Sequence, residues 1–320
     1  MIEADNITMR YGPVVAVEDA TFRVRPGEVV GLLGPNGAGK STIMKVLTTY
    51  LYPTSGAARV CGKDIFADPI GVRRCIGYLP EVLPLYTDME VGKYIEFVAR
   101  ARGLAGPKLA ERIDWVVERC GVRPVFRTLV RELSKGFRQR AALAQALVHD
   151  PAVVILDEPT SGLDPHQIVE IRRLVRELAK EKTVICSTHI LQEVEAIADR
   201  IVVLSRGRVV ADGTFQELRR KAMKRQRVEV AVAAGREEAK RALGGLADAK
   251  DIRPVKSGEG TARFCVEADF KSAILGQIDG LMHEKGWQVT ELVDRPFTLE
   301  ETFLALTEAE DAETLAGGAA

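Results

Sequence analysis

Gly34-Pro35-Asn36-Gly37-Ala38-Gly39-Lys40-Ser41 lies between a short apolar run, Val29-Val30-Gly31-Leu32-Leu33, and a segment with helical spacing, Thr42-Ile43-Met44-Lys45-Val46-Leu47. The stretch fits G-x-x-x-x-G-K-[ST], and strand, loop and helix in that order are the context the pattern needs. Its glycines let the backbone bend around an anion with the N–H groups pointing inward. A helix opening near Lys40 adds its positive end. Lys40 is then set to reach the β- and γ-phosphates of a nucleotide, and the Ser41 hydroxyl to hold Mg²⁺. Gly34, Pro35, Asn36, Gly37, Ala38, Gly39, Lys40, Ser41 and Thr42 are the expected binding residues. An ordinary glycine-rich turn would not need the flanking strand and helix.

Composition sets the outer bounds. The 320 residues leave room for two domains, and 45 Lys plus Arg balance 45 Asp plus Glu. Zero net charge gives no general pull toward nucleic acid or anionic lipid, so no nucleic-acid partner is expected. No apolar run approaches the roughly 20 residues of a membrane span. The start, Met1-Ile2-Glu3-Ala4-Asp5, is acidic and does not read as a secretory signal. Cys61, Cys75, Cys120, Cys186 and Cys265 are scattered without a C-x-x-C pair, and read as reduced thiols. A cytoplasmic protein that does not itself cross a bilayer is the expectation.

Strand-like stretches fill the start of the chain: Ile2–Met9, Ala16–Val24, Val29–Leu33, Ala57–Val60 and Ile76–Leu79. A helical block follows over about 88–148, with apolar residues at helical spacing in Val91–Arg102, Leu109–Cys120 and Phe137–Val148. Strands Val153–Leu156, Thr183–Ser187 and Ile201–Leu204 then alternate with helices Pro165–Lys180 and Ile190–Ala198. Such alternation predicts a mostly parallel sheet covered on both faces. Arg206-Gly207 reads as a hairpin turn into Val209-Val210. A basic run over Arg219–Arg227 marks a domain boundary, its charges forming a solvated face. Beyond it, Val228–Val232, Glu237–Leu243, Asp251–Val255, Ala262–Glu267, Lys271–Glu284 and Val289–Leu292 give the order βαββαβ, the ferredoxin-like arrangement. A helix Leu299–Leu306 follows. The expected division is 1–220, 221–310 and a flexible tail 311–320.

Val153-Val154-Ile155-Leu156-Asp157-Glu158 delivers two carboxylates at the C-terminal end of an apolar strand, where ligands sit in open α/β sheets. Asp157 is suited to Mg²⁺ and Glu158 to taking a proton from attacking water. Leu133-Ser134-Lys135-Gly136-Phe137-Arg138-Gln139-Arg140 adds a helix start. There Ser134 can cap and Gly136 permits close backbone approach to a phosphate.

With these stretches in order, residues 1 to about 215 resemble the ATP-binding cassette family, whose signature begins Leu-Ser-Gly-Gly-Gln. Ser161-Gly162-Leu163-Asp164 matches the family's D-loop, His189 after Ser187-Thr188 its switch histidine, and Tyr11 the aromatic stacked on adenine. The resemblance implies a P-loop cassette: a mostly parallel core, an antiparallel β subdomain and an inserted helical subdomain. It also implies ATP and Mg²⁺ as cofactors and two cassettes, here a homodimer, meeting head to tail around two ATPs. On that pattern Ser134 and Gly136 act in trans, Asp164 of the D-loop belongs with the nucleotide-binding residues, Glu158 activates water and His189 contacts the γ-phosphate. Integral membrane permease subunits would convert closure and opening into transport, with the chain on the cytoplasmic face of the membrane.

Two positions depart from the common pattern. Glu81, in Gly77-Tyr78-Leu79-Pro80-Glu81, stands where the family has glutamine, and reads as a metal ligand, a coupling residue or both. Lys135 and Phe137 replace Gly and Gln in the signature. Both variations, and the ending Arg295-Pro296-Phe297-Thr298-Leu299-Glu300-Glu301-Thr302-Phe303, resemble the branch serving type-2 exporters and gliding-motility cassettes. The extension reads equally as a regulatory or dimer-stabilising domain or as a structural appendage. The expected function is the ATPase subunit of an ABC-2-type exporter; the alternative is a soluble or regulatory cassette outside transport. The first should copurify with a protein of several membrane spans.

Overall fold

The computed structural model describes residues 1–222, 225–256, 261–270, 272–295 and 297–307. The expected tail 311–320 lies outside them, as do Lys271 and Pro296. The elements run β1 (Ile2–Tyr11), β2 (Val14–Val24), β3 (Val29–Leu33), α1 (Lys40–Leu47), β4 (Ser55–Val60), β5 (Lys63–Asp64), α2 (Pro69–Cys75), β6 (Ile76–Leu79), α3 (Val91–Ala101), α4 (Gly106–Arg119), α5 (Lys135–Leu147), β7 (Val153–Asp157), α6 (Pro165–Ala179), β8 (Thr183–Thr188), α7 (Leu191–Ile197), β9 (Arg200–Ser205), β10 (Arg208–Gly213) and α8 (Phe215–Ala222). Met1–Phe215 form one compact unit and a second begins at Gln216.

The first unit is built on a six-stranded sheet ordered β10-β9-β3-β8-β7-β6. All its neighbours are parallel except β10, which returns antiparallel from β9. The turn between them is Arg206-Gly207, both at positive φ (46° and 85°), the conformation a two-residue hairpin requires. Side chains of the parallel strands alternate between two cores, as a period of two dictates. Val29, Val154, Leu156, Val184 and Cys186 face the helical block; Val30, Leu32, Val153, Ile155 and Ile185 face α1 and the second sheet. That second sheet, β2-β1-β4-β5, is antiparallel. Burial on both faces explains why these strands read as unbroken apolar runs. It also sets the cost of truncation: Ile155→Ala would remove a fully buried side chain at about 2–5 kcal/mol.

From Gln216 on, β11 (Arg225–Val232), α9 (Arg236–Gly244), β12 (Ala249–Val255), β13 (Ala262–Asp269), α10 (Ile274–Lys285) and β14 (Val289–Asp294) follow, with a last helix over 299–307. The antiparallel sheet is ordered β12-β13-β11-β14, the ferredoxin-like order. Helix α10 begins at Ile274, later than the expected Lys271. One face of this sheet, carrying Val228, Val230, Phe264 and Val266, packs on α9 and α10. The other is charged. Ala231 on β11 stands opposite both Arg263 and Glu291, and those two pair across it. Arg227 bridges Glu267 and Glu301 and lies 4.3 Å over the Phe297 ring.

One buried polar group gives the first unit a pH signature. His149 Nε2 lies 3.0 Å from the Ile76 carbonyl, and its Nδ1 is buried without a partner. Burial, with Arg102, Arg112 and Lys182 nearby, pulls its pKa down to about 4. A free imidazole titrates near 6.5. The unfolded chain therefore takes up this proton below pH ~6.5 while the folded one stays neutral until pH ~4. Stability should fall through that window, by roughly 1.5 kcal/mol between pH 6.5 and 5, the slope approaching about 1.36 kcal/mol per unit only below the unfolded pKa. In His149→Gln, calorimetric melting of the first unit should lose most of this slope.

Candidate nucleotide site

The loop after β3 closes with Gly39 at φ 102°, where an added Cβ would meet the Ala16 carbonyl at 2.7 Å. Glycine is thus required twice over, by the left-handed backbone and by the close approach. Helix α1 opens directly at Lys40, so its unpaired N–H groups face the loop. Asn36, Gly37, Ala38, Gly39, Lys40, Ser41 and Thr42 line a cleft of 590 Å³, together with Ala16, Glu81, Glu158, Ser161 and His189. Gly34 and Pro35 contribute from behind: their carbonyls accept from Lys40 Nζ at 2.8 and 3.2 Å.

The carboxylates arrive from β7. Asp157 Oδ1 accepts from Ser41 Oγ at 3.2 Å and from Ser187 Oγ, at the end of β8, at 2.5 Å. Glu158 has a left-handed backbone, φ 50°, and its N–H donates to Ser187 Oγ at 3.0 Å and to the Ser187 carbonyl at 3.2 Å. Its side chain bridges two groups: Lys40 Nζ lies 3.7 Å from Oε1, and His189 Nδ1 lies 2.9 Å from Oε2. The 6 % exposure of Lys40 explains why its ammonium is fully engaged by carbonyls and a carboxylate: a buried charge without partners is prohibitively unstable.

The segment beyond Glu158 is fixed just as firmly. Thr160 and Thr188 hydroxyls both donate to the buried Glu193 carboxylate of α7. No local spacing marks Ser187 or Glu193 as supports, or Ser161 as part of the cleft wall. Ser187 was legible only as part of the stretch before His189, and Ser161 only as the first residue of the D-loop.

Gly34, Pro35 and Asp157 back the cleft through hydrogen bonds to Lys40 and Ser41, whereas Tyr11, Ser134, Gly136 and Asp164 do not line it. Tyr11 ends β1 at the β1–β2 hairpin and is 45 % exposed. Ser134 caps α5, accepting from the Phe137 N–H at 3.4 Å. Gly136 is buried on the first turn of α5. Asp164 caps α6, accepting from the Gln167 N–H at 3.0 Å.

The donor set fits a magnesium-bound polyphosphate. Ser41 and Asp157 offer hard oxygens side by side, and Glu81 lies on the same cleft. Among the described residues no group of three His, Cys, Asp or Glu is arranged to hold a metal by itself. Mg²⁺ is commonly held by one or two protein oxygens with substrate phosphates and water supplying the rest.

Known proteins identify the family of this chain. The family described as ABC transporter matches residues 17–161. The chain is 35% identical over 311 residues to the daunorubicin resistance ATP-binding protein DrrA3 of Streptomyces coeruleorubidus, covering 96% of this chain and 95% of that one. It is 37% identical over 219 residues to the uncharacterized ABC transporter ATP-binding protein YxlF of Bacillus subtilis, covering 68% of this chain and 72% of the relative. A solved ATP-binding subunit of an ABC transporter superposes with a TM-score of 0.65 at 32% identity, over 69% of this chain and 92% of that one. The chain therefore belongs to the ABC transporter ATP-binding family, whose cassettes are ATPases.

Proposed function

We propose that the chain is the ATP-hydrolysing subunit of an ABC-2-type exporter, working as a homodimer on the cytoplasmic face of the membrane with integral membrane permease subunits. The observation that carries this reading is a separation. Loop, carboxylates and His189 converge on one cleft, while Ser134 and Gly136 present a helix start elsewhere on the same unit. A second copy, turned head to tail, would bring its signature to this cleft. Relatedness over nearly the whole length to a drug-resistance ATP-binding protein supports an export role, and the extension from Gln216 belongs to that shared length.

The chain's own residues supply the chemistry. In this reading Lys40 exchanges its carbonyl partners for the β- and γ-phosphate oxygens. The backbone N–H groups of 36–41 cradle the phosphates, as oriented dipoles do at a helix start. Ser41 and Asp157, with Glu81 beside them, would hold Mg²⁺, whose charge offsets that of the triphosphate. Glu158 Oε accepts a proton from the attacking water. His189, bonded to the other carboxylate oxygen, aims that group and reaches the γ-phosphate. Tyr11 would stack on the adenine, and Asp164 would face the dimer partner. ATP then favours the closed pair and its hydrolysis the open one, the two-state element a permease needs.

Glu158→Gln should keep ATP affinity and lose turnover by ~10²–10⁴-fold, the usual worth of a positioned base; normal hydrolysis by that variant would place the base elsewhere. Lys40→Ala should weaken binding markedly in titration calorimetry, and unchanged affinity would contradict the phosphate role. Adding ATP to Glu158→Gln should double the mass seen by light scattering, and Ser134→Arg in that background should abolish the increase. A dimer that survives Ser134→Arg would argue against the signature acting in trans.

A further inference from the structure

Glu158 is held from both sides. Its left-handed backbone, φ 50°, is one an L residue keeps only when its surroundings enforce it. On the N-terminal side its N–H donates to Ser187. On the C-terminal side, one residue on, the Pro159 carbonyl accepts from Gln139 Nε2 at 2.8 Å. Gln139 lies in the second turn of α5, the signature helix, and is 5 % exposed. A buried carbonyl here needs a donor, and a side-chain amide supplies one without adding charge beside two carboxylates.

The same seam carries a reciprocal pair of contacts. The Lys135 ammonium occupies the space where a Cβ on Gly162 would stand, and the Gln167 amide the space where a Cβ on Gly136 would stand. Each glycine thus receives a side chain from the opposite segment. The signature and the residues following Glu158 interlock at three points.

We propose that Gln139 is a positioning residue for Glu158, and that this seam makes the start of α5 and residues 158–164 move as one body. Placement of the signature against the nucleotide of a facing chain then sets the aim of the carboxylate in the signature's own cleft. The inference rests on the dimeric reading above. It goes beyond it by coupling the two clefts of a pair within each chain, through a side chain that touches neither nucleotide. Lys40 and His189 hold the carboxylate end of Glu158; Ser187 holds its backbone N–H and Gln139 the carbonyl one residue on. A base moved by ~1 Å loses on the order of 10²-fold in rate.

Full-length Gln139→Leu and Gln139→Glu test this, with kcat and KM for ATP followed across roughly pH 6–8. Leucine keeps the bulk and removes the donor. It should lower kcat ~10–100-fold with KM within about twofold. In the Glu158→Gln background it should still dimerise on ATP. A buried glutamic acid donates to the Pro159 carbonyl only when protonated, and burial raises its pKa. The kcat of Gln139→Glu relative to the parent should therefore rise as pH falls, while the same ratio for Gln139→Leu stays flat. A Gln139→Leu kcat within twofold of the parent overturns the proposal. So does a pH-independent ratio for Gln139→Glu, or loss of dimer formation in the Glu158→Gln, Gln139→Leu double variant. Failure of Glu158→Gln alone to dimerise counts against the trans reading instead, and kcat still decides the role of Gln139.

Discussion

The Asp157 carboxylate accepts two hydroxyl hydrogen bonds, from Ser41 at the start of α1 and from Ser187 at the end of β8. Those bonds tie together the loop after β3 and the ends of β7 and β8. They are possible because the three strands are parallel and in register, Leu33 beside Thr188 and Asp157 beside Ser187. Parallel strands bring their C-terminal ends to one edge, and that edge is where α/β sheets bind ligands. An anion this deeply buried persists only with donors around it, and the hydroxyls supply them while leaving oxygen available to a cation.

Around that knot the sheet acts as a rigid mount. Alternate residues of β3, β7 and β8 insert into two separate cores, so a strand cannot shift without disturbing both. The helical block, packed on one face, carries the signature at the start of α5; the antiparallel sheet and α1 close the other. Stiffness at the strand ends and a charged side-chain network above them suit chemistry in which position and electrostatics carry the rate.

What the chain declared in advance follows the range of the forces involved. The glycine-rich loop, the buried strands and the βαββαβ order announce themselves through local spacing, since period and turn chemistry are properties of neighbours in sequence. The short α2 and β5 left no such trace, being too brief to show a period. Gln139, Ser187 and Glu193 were not legible as supports, because each acts on a residue 20 or more positions away or across strands. Nothing local distinguishes a buried glutamine that holds a carbonyl from one that faces water. The resemblance to cassettes supplied the roles of Ser134, Gly136, Asp164 and Tyr11, yet only a fold shows that none of them lines the cleft formed within their own chain.

In the ferredoxin-like unit, Arg263 and Glu291 meet across the small Ala231 of the central strand. A slip of β13 or β14 by one residue would turn these charges into the apolar layer beneath α9 and α10 and bring Phe264 or Leu292 outward. The paired ions therefore work as a key for strand alignment rather than as a source of strength, since partly exposed bridges contribute little energy. A short methyl on the middle strand is what lets the key reach its lock. Replacing it with a bulky residue would leave the sheet its hydrogen bonds but take away its guard against misthreading.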